Sequence, residues 1–282
     1  MDWGDKTVLI TGGTGSFGTA FSKYLLSKEV KKVICFSRDW LKQKNLRDEL
    51  GDPSNFRWFI GDIRDRDRLT RALKGVDIVV HAAAIKDLPT CEYNPSETVA
   101  TNIMGTQNVA DACIEHEVGK CLLISTDKAV NPCTSYGVSK LMSENIWLNS
   151  NKYAADDNIK FSVCRYGNVW GSSGSILPVW KKMIEQGATE LPVTHEGCTR
   201  FHFMMSEVVK FVTDSVDKMQ GGETFIPKLP SIRIIDIAKA FRLPYKVIGL
   251  RENEKIHEEM EPGYDSGSND RFLTVDEIRQ II

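Results

Sequence analysis

An apolar run at residues 7–10, Thr-Val-Leu-Ile, passes without a break into Thr11-Gly12-Gly13-Thr14-Gly15-Ser16-Phe17-Gly18, and this junction limits the available folds most. A short apolar run that ends in turn residues reads as a buried strand, and Phe21, Tyr24, Leu25 and Leu26 behind it follow helical spacing. Glycines at 12, 15 and 18 have the spacing of a dinucleotide-binding turn. They permit the tight bend, the approach of backbone to a pyrophosphate, and close packing of helix on strand. The start of the helix then offers free N–H groups to phosphate. Gly12, Thr14, Gly15, Ser16, Phe17 and Gly18 are therefore candidate cofactor contacts.

The same rhythm continues as far as residue 170. Residues 32–36, 56–60, 78–81, 121–124 and 160–166 are short, largely apolar runs separated by helical patterns. Such alternation predicts an α/β fold, a Rossmann doubly wound parallel sheet with its active site beyond the carboxyl ends of the strands. After residue 170, helical stretches at 177–184 and 206–219 alternate with short strands such as 224–226, and Pro227, Pro230 and Pro244 break the rhythm. The expected division is a cofactor-binding Rossmann domain over 1–170 and a mainly substrate-binding lobe over 171–282, with interleaving of the two left open. Asn94-Pro95 is expected to start a helix as cap and first turn, with Val99, Ile103, Val109 and Ile114 as its core face.

The second strand ends in Ser37-Arg38-Asp39, with Lys42 one helical turn on. An acid near this point suits the ribose hydroxyl of NAD, and arginine suits the 2′-phosphate of NADP. Because Ser37-Arg38 precedes Asp39, NADP is expected over NAD. Asp62 and Ile63 follow the third strand and would border an adenine ring. Ala82, Ala83 and Ala84 offer small side chains where cofactor would pass close.

The stretch from Ile124 to Lys140 gathers a hydroxyl, a carboxylate, two amines and a phenol at a strand end, a loop and a helix start: Thr126, Asp127, Lys128, Tyr136 and Lys140. Ser135 reads as the cap of a helix through Trp147, which sets Tyr136 and Lys140 on one face. A nearby cation stabilises phenolate, so Lys140 is expected to lower the Tyr136 pKa, as a general base at neutral pH requires. Taken alone, Tyr-x-x-x-Lys is common on ordinary helices, and the pairing gains meaning only beside the glycine turn.

Composition excludes several classes. The chain has 282 residues with formal net charge −2, so nothing marks a polyanion partner such as nucleic acid. No apolar run approaches a membrane span, and the first residues do not read as a signal peptide. The seven cysteines form no Cys-x-x-Cys pair and the five histidines show no ligand spacing, so no metal is expected. Cys35, Cys113, Cys121 and Cys164 read as reduced, buried small side chains, and His81 as strand-end packing; cytoplasm is the default compartment.

With these residues in hand, the chain resembles an extended short-chain dehydrogenase/reductase. More closely, it is similar to the soluble inverting UDP-N-acetylglucosamine 4,6-dehydratases of polysaccharide and glycan biosynthesis. The markers are the glycine turn, Ser37-Arg38-Asp39, Gly61-Asp62-Ile63, His81-Ala82-Ala83-Ala84-Ile85-Lys86 and Cys91-Glu92-Tyr93-Asn94-Pro95. They continue through Ser125-Thr126-Asp127-Lys128, Tyr136 with Lys140, Arg165-Tyr166-Gly167-Asn168, Thr199-Arg200-Phe201 and Glu254-Lys255-Ile256-His257-Glu258-Glu259-Met260. The Asp-Lys pair is the specific one, since hexose 4,6-dehydratases of the superfamily typically carry Asp-Glu and the epimerases lack it.

The resemblance implies roles. Tyr136, helped by Lys140, would take the proton of the sugar 4-hydroxyl during oxidation, and Thr126 would hydrogen-bond that hydroxyl or the ketone. Lys128, its pKa lowered by burial and by Lys140, would take the proton from carbon 5. Asp127, held protonated, would give one to the departing 6-hydroxyl. Arg200, Arg251 and Glu254 would meet the uridine diphosphate, and Lys86 and Asn168 would line the sugar site. A homo-oligomer is implied, with the helices from Asn94 and Ser135 at the contact. Ser173, His202 and Glu252-Asn253 depart from the family pattern, which leaves nucleotide and sugar preference open. A sugar-nucleotide 4-epimerase or other oxidoreductase using Tyr136 and Lys140, or a non-catalytic binder of NADP(H), are the alternatives.

Overall fold

Why the first strand is central follows from its burial. All five residues of β1 (Thr7–Thr11) are buried, as expected of a strand covered on both faces. A computed structural model describes residues 1–154 and 156–282. Along the chain follow α1 (Ser16–Ser27), β2 (Lys32–Ser37), α2 (Trp40–Leu50), β3 (Phe56–Ile60), α3 (Arg66–Leu73) and β4 (Ile78–His81). Next come α4 (Leu88–Tyr93), α5 (Pro95–Thr98), α6 (Gly105–Glu115), β5 (Lys120–Thr126), α7 (Ser135–Tyr153) and β6 (Lys160–Tyr166). The remainder is β7 (Asn168–Val169), α8 (Ile176–Glu185), β8 (Leu191–Val193), β9 (Thr199–Phe203), α9 (Met205–Lys218) and β10 (Thr224–Phe225). It ends with β11 (Ser231–Arg233), α10 (Ile234–Ala240), β12 (Tyr245–Val247), β13 (Glu259–Glu261), β14 (Tyr264–Asp265) and α11 (Val275–Ile281).

Seven strands form one parallel sheet in the order β10-β6-β5-β4-β1-β2-β3. The order reverses between β1 and β4, so a crevice opens where their carboxyl ends diverge. Side chains alternate across the sheet. Val8 and Ile10 join Phe21, Leu25, Val208, Val212 and Val216 on one face. Leu9 joins Ile34, Phe36, Leu69, Val109, Trp147 and Phe161 on the other. A third apolar cluster, including Trp180, Leu191, Ile232, Ile237 and Ile278, supports the small strands of the second half. The halves interleave: α9 packs with α1 in the first layer, and β10 returns to the edge of the large sheet beside β6.

Two local expectations need correction. Helix α7 is capped by Thr134, not Ser135, because the Thr134 hydroxyl accepts from Gly137 N at 3.0 Å; the helix runs on to Tyr153. The helix expected from Asn94 is broken into α5, a wider π-type turn over Val99–Met104, and α6. Asn94 makes no side-chain cap there. The extra residue in that turn rotates the helix face, so Val109 is buried, Ile103 and Ile114 are half-buried, and Val99 is 47% exposed. What the turn presents inward is Asn102, which holds Ile85 through its N–H and its carbonyl and also donates to Ser139 Oγ at 2.9 Å.

Candidate active site

The glycine turn is built around close backbone approach. Gly12 has φ +68°, and a Cβ there would lie 2.9 Å from Ala83 N. At Gly18 a Cβ would lie 2.6 Å from both Gly12 O and Gly13 Cα. Helix α1 starts at Gly15 without a side-chain cap, so its first N–H groups stay available to an anion. Thr14, Ser16 and Phe17 are half-buried on this turn; Phe17 stacks on Phe21, and Ser16 Oγ meets Ser173 Oγ at 3.1 Å. Ala82, Ala83 and Ala84 lie alongside, with Ala82 N and Ala83 N donating to Thr11 Oγ1. A cradle that side chains would fill, next to an uncapped helix start, fits the pyrophosphate of a dinucleotide.

At the end of β2 the one acid is already engaged. Asp39 caps α2, accepting from Leu41 N and Lys42 N at 3.0 Å each, with Lys42 Nζ 3.9 Å away. Arg38 stays 56% exposed in its side chain, 3.6 Å from Asp62, and Ile63 is buried beneath. Ser37 is buried and holds Gln43 Nε2 at 3.0 Å.

Thr126 ends β5, and Asp127-Lys128-Ala129 makes a single tight turn before α7. A Cβ at Gly137 would overlap Lys128 O, so only glycine lets the start of α7 press against that turn. Asp127 is fully buried; Oδ1 accepts from Thr126 Oγ1 at 3.0 Å and Lys128 Nζ at 3.1 Å, and Oδ2 has no hydrogen-bond partner among the described residues. Burial pushes its pKa up, which favours the protonated acid. Lys128 Nζ also reaches Glu258 Oε1 at 3.0 Å and Asn168 Oδ1 at 3.3 Å.

Here the expected electrostatics are overturned. Burial would lower the Lys128 pKa, but the carboxylates of Glu258 and, while it is ionised, Asp127 raise it, so the side chain rests as an ammonium, paired with Glu258 when Asp127 carries its proton. Tyr136 is pushed up to about 12, by burial first and by Asp127 next, against the opposing pull of Lys128 and the Thr126 hydroxyl. Lys140 makes no hydrogen bond to the phenol among the described residues. Its Nζ donates to Ile124 O at 2.8 Å, and burial lowers it to about 8 against the pull of Glu144. Lys140 therefore does not create the phenolate in this state.

The remaining candidates divide. Asn168 joins the Asp127–Lys128 pair, whereas Lys86 Nζ donates to Ser173 O at 3.0 Å in the loop over the glycine turn. Arg200 is buried and donates to Thr199 O at 2.6 Å and Ile256 O at 2.9 Å, with Glu254 at 3.2 Å. Glu254 accepts as well from Thr194 Oγ1 and Arg251 N, and the Arg251 side chain is exposed. His81 is buried between Thr11 and Thr106 hydroxyls, and burial lowers it to about 3, so it is neutral. Glu258 was not singled out as a site residue; its only sequence signal is membership of the segment around His257.

Over 264 residues the chain is 49% identical to UDP-N-acetylglucosamine 4,6-dehydratase (inverting) of Campylobacter jejuni, covering 93% of this chain and 79% of that protein. It is 37% identical over 276 residues to a UDP-glucose 4-epimerase of Rickettsia akari, covering 94% and 80%. Among solved structures, Pen from Bacillus thuringiensis is 32% identical with TM-score 0.94, covering 100% of this chain and 98% of that one. A model of the polysaccharide biosynthesis protein family matches residues 8–278, nearly the whole chain, and the chain belongs to that family.

Proposed function

We propose that this chain is a hydro-lyase, an NADP-dependent UDP-N-acetylglucosamine 4,6-dehydratase that inverts carbon 5. The observation that carries the reading is the pairing of buried Asp127 with half-buried Lys128 at the end of β5, in the turn that leads to the helix of Tyr136 and Lys140. Residues of the glycine turn, Ala82–Ala84, Ser37, Arg38, Lys42, Asp62 and Ile63 would hold the dinucleotide. NADP is favoured because Asp39 is taken up by capping α2 while Arg38 stays exposed. Bound there, the nicotinamide supplies a place for hydride taken from carbon 4 and later returned to carbon 6.

Tyr136 accepts the proton of the 4-hydroxyl, for which its pKa must fall from about 12 when a cation comes near. Lys140, lowered to about 8, keeps enough ammonium at neutral pH to be that cation. A ketone at carbon 4 acidifies carbon 5, whose proton goes to Lys128, and Asp127 gives its proton to the departing 6-hydroxyl. Carbon 5 is then reprotonated by water on the face opposite Lys128, the hydroxide so formed takes the proton from Tyr136, and the configuration inverts. Thr126, Asn168 and Lys86 would orient the sugar, and Arg200, Arg251 and Glu254 would meet the uridine diphosphate. The cofactor is carried mainly by residues 1–170 and the sugar nucleotide mainly by 171–282. A homo-oligomer in the cytoplasm fits the exposed Val99, Met104, Val138 and Met142 around α7.

Mass spectrometry of the product from UDP-N-acetylglucosamine tests the reading. A 4-keto-6-deoxy product lighter by one water, with no net NADPH, is expected, and Lys128→Ala should abolish it. The second reading, a 4-epimerase, is favoured by the Rickettsia relative. It would give an isomer of unchanged mass and would leave Asp127 and Lys128 without a task.

A further inference from the structure

We propose that Glu258 is a positioning residue of this site: it holds Lys128 in place and takes the ammonium proton that Lys128 must shed before acting as a base. The inference rests on the dehydratase reading. An ammonium has no lone pair, so Lys128 as it stands in the structure cannot abstract a proton, and some neighbour has to receive one from it.

The groups facing Lys128 can be taken in turn. Asn168, at 3.3 Å, is an amide and cannot accept a proton at neutral pH. Asp127, at 3.1 Å, needs its proton for the leaving hydroxyl. Tyr136, a phenol, has the sugar 4-hydroxyl to serve. Arg200 is a cation, 4.0 Å from Glu258 Oε1. Glu258 is left, 3.0 Å from Nζ, and both Lys128 and Arg200 hold it ionised against the opposing effect of burial.

Its setting suits the task. The residue is 4% exposed and precedes β13, and Ser266 pins its backbone on both sides: Glu258 N donates to Ser266 Oγ at 2.9 Å and Ser266 N donates to Glu258 O at 2.8 Å. Its second oxygen, Oε2, is buried with no hydrogen-bond partner among the described residues. In the transfer an Nζ–H bond breaks, its electron pair stays on nitrogen, and an O–H bond forms on Glu258. Two charges become two neutral groups, a change that favours itself when substrate displaces water, because both ions lose hydration. Arg200 and Lys255 oppose the transfer, which keeps the pair ionic until substrate is bound. When product leaves, Glu258 passes its proton to water and Asp127 regains one from water.

The test uses holoenzyme with UDP-N-acetylglucosamine. Glu258→Gln keeps the shape and the accepting oxygen but takes no proton. Its kcat should fall by about 100-fold with KM little changed. Deuterium uptake at carbon 5 in D2O should fall with it, while oxidation at carbon 4, read as single-turnover NADPH absorbance, persists. The deficit should shrink as pH approaches about 10, where water can deprotonate Lys128. Glu258→Asp, which retains a carboxylate, should recover part of the rate with the wild-type pH profile. A Glu258→Gln rate within about threefold of wild type, below the 100-fold scale of a lost proton acceptor, overturns the proposal. A deficit equal at every pH, or an Asp variant no better than Gln, overturns it as well. Should wild type itself release an isomer of unchanged mass, the dehydratase reading falls first, which is a separate result.

Discussion

Replacing Gly18 by alanine separates what the glycine turn does for cofactor from what it does for the fold. The new Cβ would lie 2.6 Å from Gly12 O and Gly13 Cα and 2.7 Å from Gly13 C, all backbone atoms without a rotamer to yield. Ordinary contact begins at 3.4 Å, so turn and helix must part by about 0.8 Å. Overpacking of this kind costs about 1–3 kcal/mol, and alanine in place of a helical glycine returns about 1 kcal/mol. The net loss is at most about 2 kcal/mol, or a fall in Tm of several degrees. Binding should suffer more. Hydrogen bonds from backbone N–H groups to phosphate contribute about 1.5–3 kcal/mol each and do not survive a displacement of that size. Losing two weakens NADPH binding by about 100-fold or more. Gly51→Ala is the control: its φ is +73° at the end of α2, nothing lies within 4 Å, and the change should cost about 1 kcal/mol of stability with affinity untouched. Thermal unfolding of the apoprotein and calorimetric titration with NADPH read both quantities. Wild-type affinity in Gly18→Ala would refute the assignment of the pyrophosphate to this turn.

Three further outcomes follow from buried groups. Glu144 is buried and forms a bidentate pair with the half-buried Arg165, which also donates to Met260 O at 2.8 Å, so Glu144→Ala leaves a poorly solvated guanidinium without its partner and should cost about 3 kcal/mol in chemical denaturation. Burial lowers Lys140 from the ordinary lysine value of 10.5 to about 8 in the folded chain, so the unfolded chain holds more protons between the two and stability rises with pH across that window. Lys140→Met should accordingly be about 3 kcal/mol more stable than wild type at pH 7, with the gap closing by about pH 10; unfolding free energies at both pH values check it. Cys133 is exposed while Cys35, Cys91, Cys113, Cys121, Cys164 and Cys198 are buried, so a thiol reagent should label one cysteine in native protein and none in Cys133→Ser.

Much of the fold and of the candidate site was legible in the residues themselves. β1, the glycine turn and α1 could be read because a buried strand, a tight turn and an amphipathic helix each write a pattern over a few adjacent positions. Tyr136 and Lys140 could be assigned to one helix for the same reason, although Thr134 rather than Ser135 turned out to cap it. Less visible was the π-type turn at Val99–Met104, since nothing local distinguishes it from ordinary helix; its use emerges from Asn102 gripping Ile85.

Charge states were beyond the reach of pattern. Helical spacing suggested that Lys140 would act on Tyr136, and the family resemblance implied that Lys128 would lose its proton easily. Instead Lys140 meets the Ile124 carbonyl, and Lys128 is held charged by Glu258, from a distant part of the chain, together with the neighbouring Asp127 while that acid is ionised. Sequence by itself determined which chemical groups the chain owns and which elements carry them, because local sterics and periodic burial act between neighbours. Only the tertiary structure decided which of those groups keep their protons, because a pKa is the sum of lost hydration and every charge that folding brings within a few ångströms.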